Sequence, residues 1–133
     1  MSEVLELTDA TYPSFIENTQ KVVFIDFYSQ SCAPCQNLLT YLPLLNEHYK
    51  DEDVVIAKVN TEHNPKLTAK FMVKSVPLTV VIGQDKMVKK ADVGLKTIDA
   101  YIKMIDKTLG KDLGLFARLF GWEKLFFRFY VFS

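Results

Sequence analysis

The stretch Val22-Val23-Phe24-Ile25-Asp26-Phe27-Tyr28, running through Ser29-Gln30-Ser31 into Cys32-Ala33-Pro34-Cys35, decides the fold. Its first seven residues are β-branched or aromatic except for one carboxylate, which is the pattern of a strand buried on both faces at the centre of a parallel or mixed sheet. A helix is expected to begin at the cysteines. Pro34 suits a first helical turn, where its missing N–H costs nothing, and Leu38, Leu42, Leu45 and Tyr49 follow at helical spacing. Cys32 therefore falls at a helix N-terminus, where unpaired N–H groups and the helix dipole favour a thiolate over a thiol. A free cysteine titrates near about 8.5, and a Cys-x-x-Cys pair at a helix start lowers that by one to several units. Cys32 is read as the nucleophile. Cys35, one turn further in, is read as the resolving thiol that releases a substrate held as a mixed disulfide at Cys32.

Around this centre the composition is that of an ordinary globular chain. The 133 residues suit one core, with 49% hydrophobic and 24% charged residues. Lys and Arg number 16, as do Asp and Glu, so nothing in the charge balance points to nucleic acid. The start, Met-Ser-Glu-Val-Leu-Glu, carries acid where a secretory leader carries base, and no charge-free stretch reaches membrane-span length. Two cysteines in one Cys-x-x-Cys pair fit a redox motif in a reducing compartment better than a disulfide framework. The expected location is the cytoplasm.

Phe-Ile-Asp-Phe-Tyr-Ser-Gln-Ser-Cys-Ala-Pro-Cys, followed by Ser75-Val76-Pro77 and later by Gly94, resembles thioredoxin over roughly residues 1 to 109. The resemblance implies a thiol–disulfide oxidoreductase that acts on protein disulfides and takes electrons from a reductase or another thiol donor, with no cofactor and no metal. It also implies that Asp26 is a buried acid assisting deprotonation of Cys35. Pro77 would be a cis-proline packed against the sulfurs, leaving the Val76 backbone free to pair with an extended substrate. Ala33, Pro34, Val76, Pro77 and Gly94 are thus the expected substrate contacts, and Lys58 matches a lysine often placed near the buried acid. The chain also departs from the family. Ser31 and Tyr28 stand where tryptophan is common, Ala33 where glycine is usual, and Thr40 where the family has its kinking proline, here displaced to Pro43. Leu78 replaces a common threonine and is expected to make the groove more apolar.

The residues themselves support several of these readings. Asp26 amid apolar neighbours is costly to bury unless paired or protonated, and burial would raise its pKa towards a value useful for a general base. A lysine at a strand end, such as Lys58, is more commonly just solvated.

Along the chain, Val4 to Leu7 reads as a short edge strand and Thr8 to Thr19 as a helix with Phe15 and Ile16 inward. Val54 to Val59 reads as a second apolar strand, and Asn64-Pro65 as the cap and first turn of a helix carrying Leu67 and Phe71. Pro77 at the start of Leu78 to Ile82 is tolerated because that position need not donate to the ladder. Lys86 to Val93 reads as a last strand after a Gln84-Asp85 turn. Gly94 lets backbone approach the site closely. Ile98, Tyr101, Ile102, Ile105 and Leu109 mark one face of a closing helix ended by Gly110. The expected architecture is α/β, a central mixed sheet flanked by helices, over residues 1–110.

Residues 111–133 form a separate aromatic-rich extension, with four cations against two anions and eight aromatic residues. Its apolar face is expected to bury against protein, this domain or a second copy in a homodimer, ahead of a membrane surface. Two rival functions stand beside oxidoreduction. One is a zinc module using Cys32, Cys35, His48 and His63, disfavoured because fourteen residues separate the histidines where a zinc finger has three to five. The other is a protein-binding or chaperone-like module in which redox chemistry is secondary.

Overall fold

The computed structural model describes residues 3–111. The expectations for residues 112–133, including their docking face, lie outside the described residues. Among the described residues, five strands form one sheet: β1 Leu5–Glu6, β2 Val22–Tyr28, β3 Val54–Asn60, β4 Leu78–Ile82 and β5 Val88–Val93, in the order β1-β3-β2-β4-β5. The expected central mixed sheet is present. β1 and β2 run parallel to β3, whereas β4 runs antiparallel to both β2 and β5. Every residue of β2 is buried, as its near-continuous apolar run requires of a central strand covered on both faces.

Side-chain alternation along the strands divides the core in two. Val23, Ile25 and Phe27 pack with Val80 and Ile82 under α1 (Tyr12–Asn18) and α3 (Pro65–Lys70). On the other face, Val22, Phe24, Ile56 and Val81 meet Leu38, Leu42 and Leu45 of α2 (Ala33–His48) and Tyr101 and Ile105 of α4 (Ile98–Leu109). Asp26 and Lys58 alternate in step with Phe24 and Ile56, which places both on the α2/α4 face. Pro43 lies within α2, which continues to His48.

Several details differ from the sequence reading, and the edge strand β1 is shorter than the expected Val4 to Leu7. Helix α1 starts at Tyr12 instead of Thr8, because the Thr8 and Thr11 hydroxyls accept each other's backbone N–H at 3.2 and 3.0 Å and close a turn ahead of the helix. Asn64 precedes α3 but its side chain does not cap it. That amide accepts the Asp9 N–H at 2.8 Å and donates to the Asn60 carbonyl at 2.9 Å, while the Asp9 carboxylate takes the Lys66 and Leu67 N–H groups at 3.0 and 2.8 Å. Strand β5 starts at Val88 because Lys86 has φ +68° inside the hairpin. Its ammonium reaches back to the Ile16 and Thr19 carbonyls at the end of α1, both at 2.8 Å. Strand β3 runs one residue longer than expected, to Asn60. Among the described residues, no helix is long and apolar enough to cross a membrane.

Candidate active site

The Ser29–Ser31 loop carries the chain from the end of β2 into α2 and is pinned on two sides. The Gln30 N–H donates to Glu62 Oε1 at 3.0 Å, and the Gln36 side-chain amide donates to the Gln30 carbonyl at 3.3 Å. Cys32 thereby becomes the N-cap of α2, in extended backbone at φ −93° and ψ 112°, with its Sγ accepting the Cys35 N–H at 3.2 Å. A sulfur occupies the place where helix caps usually put a serine or aspartate oxygen. Once the pair is reduced, that same N–H faces the sulfur and stabilises negative charge on it.

Cys32 and Cys35 form a disulfide, with Cα atoms 5.2 Å apart, so the structure holds the oxidised state. The two sulfurs differ in access. Cys32 is half-buried between exposed Ser31 and Ala33, whereas Cys35 is 0% exposed.

The rim beside the disulfide comes from two further stretches. The Val76–Pro77 peptide bond is cis, and the Val76 carbonyl oxygen lies 3.8 Å from Cys32 Sγ. Gly94 donates its N–H to the Pro77 carbonyl at 2.8 Å from a backbone at φ +95°, a conformation glycine reaches without a Cβ penalty. Tyr101, expected only as an apolar face residue of α4, secures this loop through its hydroxyl, which accepts the Lys96 N–H at 2.8 Å and donates to the Gly94 carbonyl at 3.4 Å. Val76, Pro77 and Gly94 are therefore linked to one another and, through Val76, to Cys32. Ala33 and Pro34, between the two cysteines, are exposed. Leu78 corrects its expectation: it is buried in the α1/α3-side core with Phe27, so it fills space beneath the site and does not give the groove an apolar lining.

Asp26 is 0% exposed, and neither of its carboxylate oxygens has a hydrogen-bond partner among the described residues. Burial pushes its carboxyl up to about 7, against a smaller opposing pull from the Lys58 ammonium. A buried acid at that value exchanges a proton at neutral pH, as a general base must. It sits on the sheet face covered by α2, the helix whose first turn holds both cysteines.

Lys58 is neither fully solvated nor bonded to Asp26. Its ammonium pairs with Glu6 at 3.7 Å and stands 6.0 Å from the centre of the Tyr28 ring. Sequence reasoning missed Glu6, Glu62, Gln36 and Tyr101 as supports of the site, since each acts through a bond set by tertiary placement. The histidines of the zinc reading lie apart from that arrangement: His48 ends α2 with its ring edge-on to Tyr49, and His63 lies in the turn after β3. Among the described residues, no three His, Cys, Asp or Glu side chains are grouped to hold a metal ion.

Comparison with known proteins agrees with this geometry. The sequence model of the thioredoxin family matches residues 3–107. Thioredoxin C-3 of Corynebacterium nephridii is 30% identical over 112 residues, covering 84% of this chain and 75% of that protein. The thioredoxin of Streptomyces clavuligerus is 33% identical over 104 residues, covering 77% and 94%. Among solved structures, chloroplastic thioredoxin z superposes with a TM-score of 0.74 at 19% identity over 83% of this chain and 97% of that one, a likeness of fold. Matched over most of its length and carrying its exchangeable disulfide at the start of α2, the chain belongs to the thioredoxin family and is a thiol–disulfide oxidoreductase.

Proposed function

We propose that the reduced chain attacks protein disulfides through Cys32 and is returned to the disulfide form through Cys35. The Cys32 thiolate forms a bond to one substrate sulfur and expels the other as a thiolate. Cys35 then gives its proton to Asp26, attacks Cys32 Sγ and expels the second substrate sulfur, leaving two substrate thiols and the Cys32–Cys35 disulfide. Two electrons pass from the chain to the substrate, and a reductase or another thiol donor must restore them. Ala33, Pro34, Val76, Pro77 and Gly94 form the surface on which an extended substrate lies, with the Val76 backbone as its pairing partner.

The observation that carries these roles is the contrast in access between a half-buried Cys32 at the helix start and a fully buried Cys35. After reduction and removal of the reductant, iodoacetamide near neutral pH is expected to alkylate Cys32 at least about tenfold faster than Cys35. Peptide mass mapping reads the ratio, and faster labelling of Cys35 would reverse the two roles.

A reducing compartment suits this chemistry, and the cytoplasm is the location proposed. For residues 112–133 we propose docking of the aromatic face on protein, this domain or a second copy. A chain ending at Gly110 is then expected to lose thermal stability or self-association, as read by melting and light scattering. Co-sedimentation of the full chain with anionic liposomes, abolished by the same truncation while stability and association are unchanged, would make the extension a membrane anchor instead.

A further inference from the structure

One row of the sheet is polar from edge to edge. At a single register, Glu6 of β1 stands beside Lys58 of β3, Lys58 beside Asp26 of β2, Asp26 beside Thr79 of β4, and Thr79 beside Asp92 of β5. The row two residues away on the same face is apolar in the three inner strands, with Ile56, Phe24 and Val81 in register. Lys58 is thus a cation between two carboxylates on adjacent strands.

It leans outward. Lys58 Nζ lies 3.7 Å from Glu6 Oε1, while both oxygens of buried Asp26 lack a hydrogen bond among the described residues. Glu6 is itself held in place, because the Tyr28 hydroxyl donates to its other oxygen at 3.0 Å and the Tyr28 ring lies 6.0 Å from the Lys58 ammonium. Tyr28, a departure from the family's common tryptophan, therefore serves as the anchor for Glu6.

We propose that Glu6 is a positioning residue that holds the Lys58 ammonium towards the sheet edge and so sets the pH at which Asp26 exchanges its proton. Its catalytic consequence rests on the reading of Asp26 as the base for Cys35. Among the described residues, the other charged or titratable groups facing Asp26 are few. Asp92 on β5 is offset by Lys90 at 3.9 Å, Tyr28 on β2 and Tyr101 on α4 are both pushed above the ordinary phenol value by burial, and Cys35 on α2 is in the disulfide. Glu6 and Lys58 are the adjustable pair.

The sign follows from charge alone. Neutralising Glu6 removes a negative charge and frees Lys58 to approach Asp26, and both changes favour the carboxylate. In the full-length oxidised chain, an NMR titration of the Asp26 carboxyl carbon is expected to show a midpoint lower by about half to one pH unit in Glu6→Gln than in the wild type. Tyr28→Phe, which releases Glu6 without removing its charge, is expected to move the midpoint the same way by less. Glu6→Asp, which keeps the charge, is expected to fall between Glu6→Gln and the wild type. A midpoint unmoved or raised in Glu6→Gln overturns the proposal. A midpoint that falls while the pH profile of protein-disulfide turnover stays in place supports the role of Glu6 and overturns the base role of Asp26, so the two readings fail separately.

Discussion

Replacing Asp26 with Asn is expected to stabilise the fold by roughly 4 kcal/mol at pH 8 while slowing turnover of a protein disulfide about ten- to a hundredfold. The stability gain follows from the position of the carboxyl, which is 0% exposed, unpaired and pushed up to about 7 from the ordinary 3.8. Because the folded chain holds this proton more tightly than the unfolded one, folding takes up a proton between those two values. The wild type therefore loses stability as pH rises from about 4 to 7, and the loss is complete above pH 7. Asn has no charge to desolvate. The advantage of Asp26→Asn in urea denaturation should accordingly be full at pH 8 and vanish near pH 4. Turnover should move the other way, with the wild-type rise through pH 7 missing from the variant. A stability difference independent of pH would show that Asp26 is not the buried, unpaired acid described above, and unchanged turnover from pH 6 to 9 would remove its acid–base role.

The second large effect concerns the sulfurs. Cys32→Ser is expected to lower turnover of a protein disulfide by at least about 10³-fold, because a hydroxyl is scarcely ionised at neutral pH and cannot form the mixed disulfide. Cys35→Ser should also stop turnover, but at a different point. Its Cys32 still attacks, and the product stays covalently attached because nothing in the first turn of α2 can release it.

Much of this was legible in the residues, and what was not has a physical cause. Strand β2 stood out because burial on both faces demands a near-continuous apolar run, and α4 because Tyr101 and Ile105 repeat at helical spacing before a left-handed Gly110. Cys32 and Cys35 were readable as a redox pair because helix-start chemistry is local. Asp26 was readable as a buried acid because its strand neighbours are apolar on both sides.

The unread parts depend on partners far away in sequence. The cap of α3 is Asp9, more than fifty residues upstream, whereas the local candidate Asn64 turned its amide to other bonds. Glu6 carries no local signal within the edge strand, and only the β1-β3-β2 register sets it in one row with Lys58 and Asp26. Tyr101 was counted for its ring, although its hydroxyl holds the Gly94 loop. The start of α1 was misplaced because two threonine hydroxyls compete locally with the helix, an outcome that periodicity does not register.

The division of labour between a helix-capping nucleophile and a buried resolving thiol is tested most directly by trapping the intermediate. Reduced Cys35→Ser, mixed with a protein disulfide such as insulin and quenched with acid, should accumulate a one-to-one covalent adduct that maps to Cys32 by peptide mass spectrometry. The wild type should show none at steady state, and dithiothreitol should release the adduct. Turnover by Cys35→Ser at the wild-type rate with no adduct, or no adduct from a variant whose Cys32 is free and readily alkylated, would contradict the account.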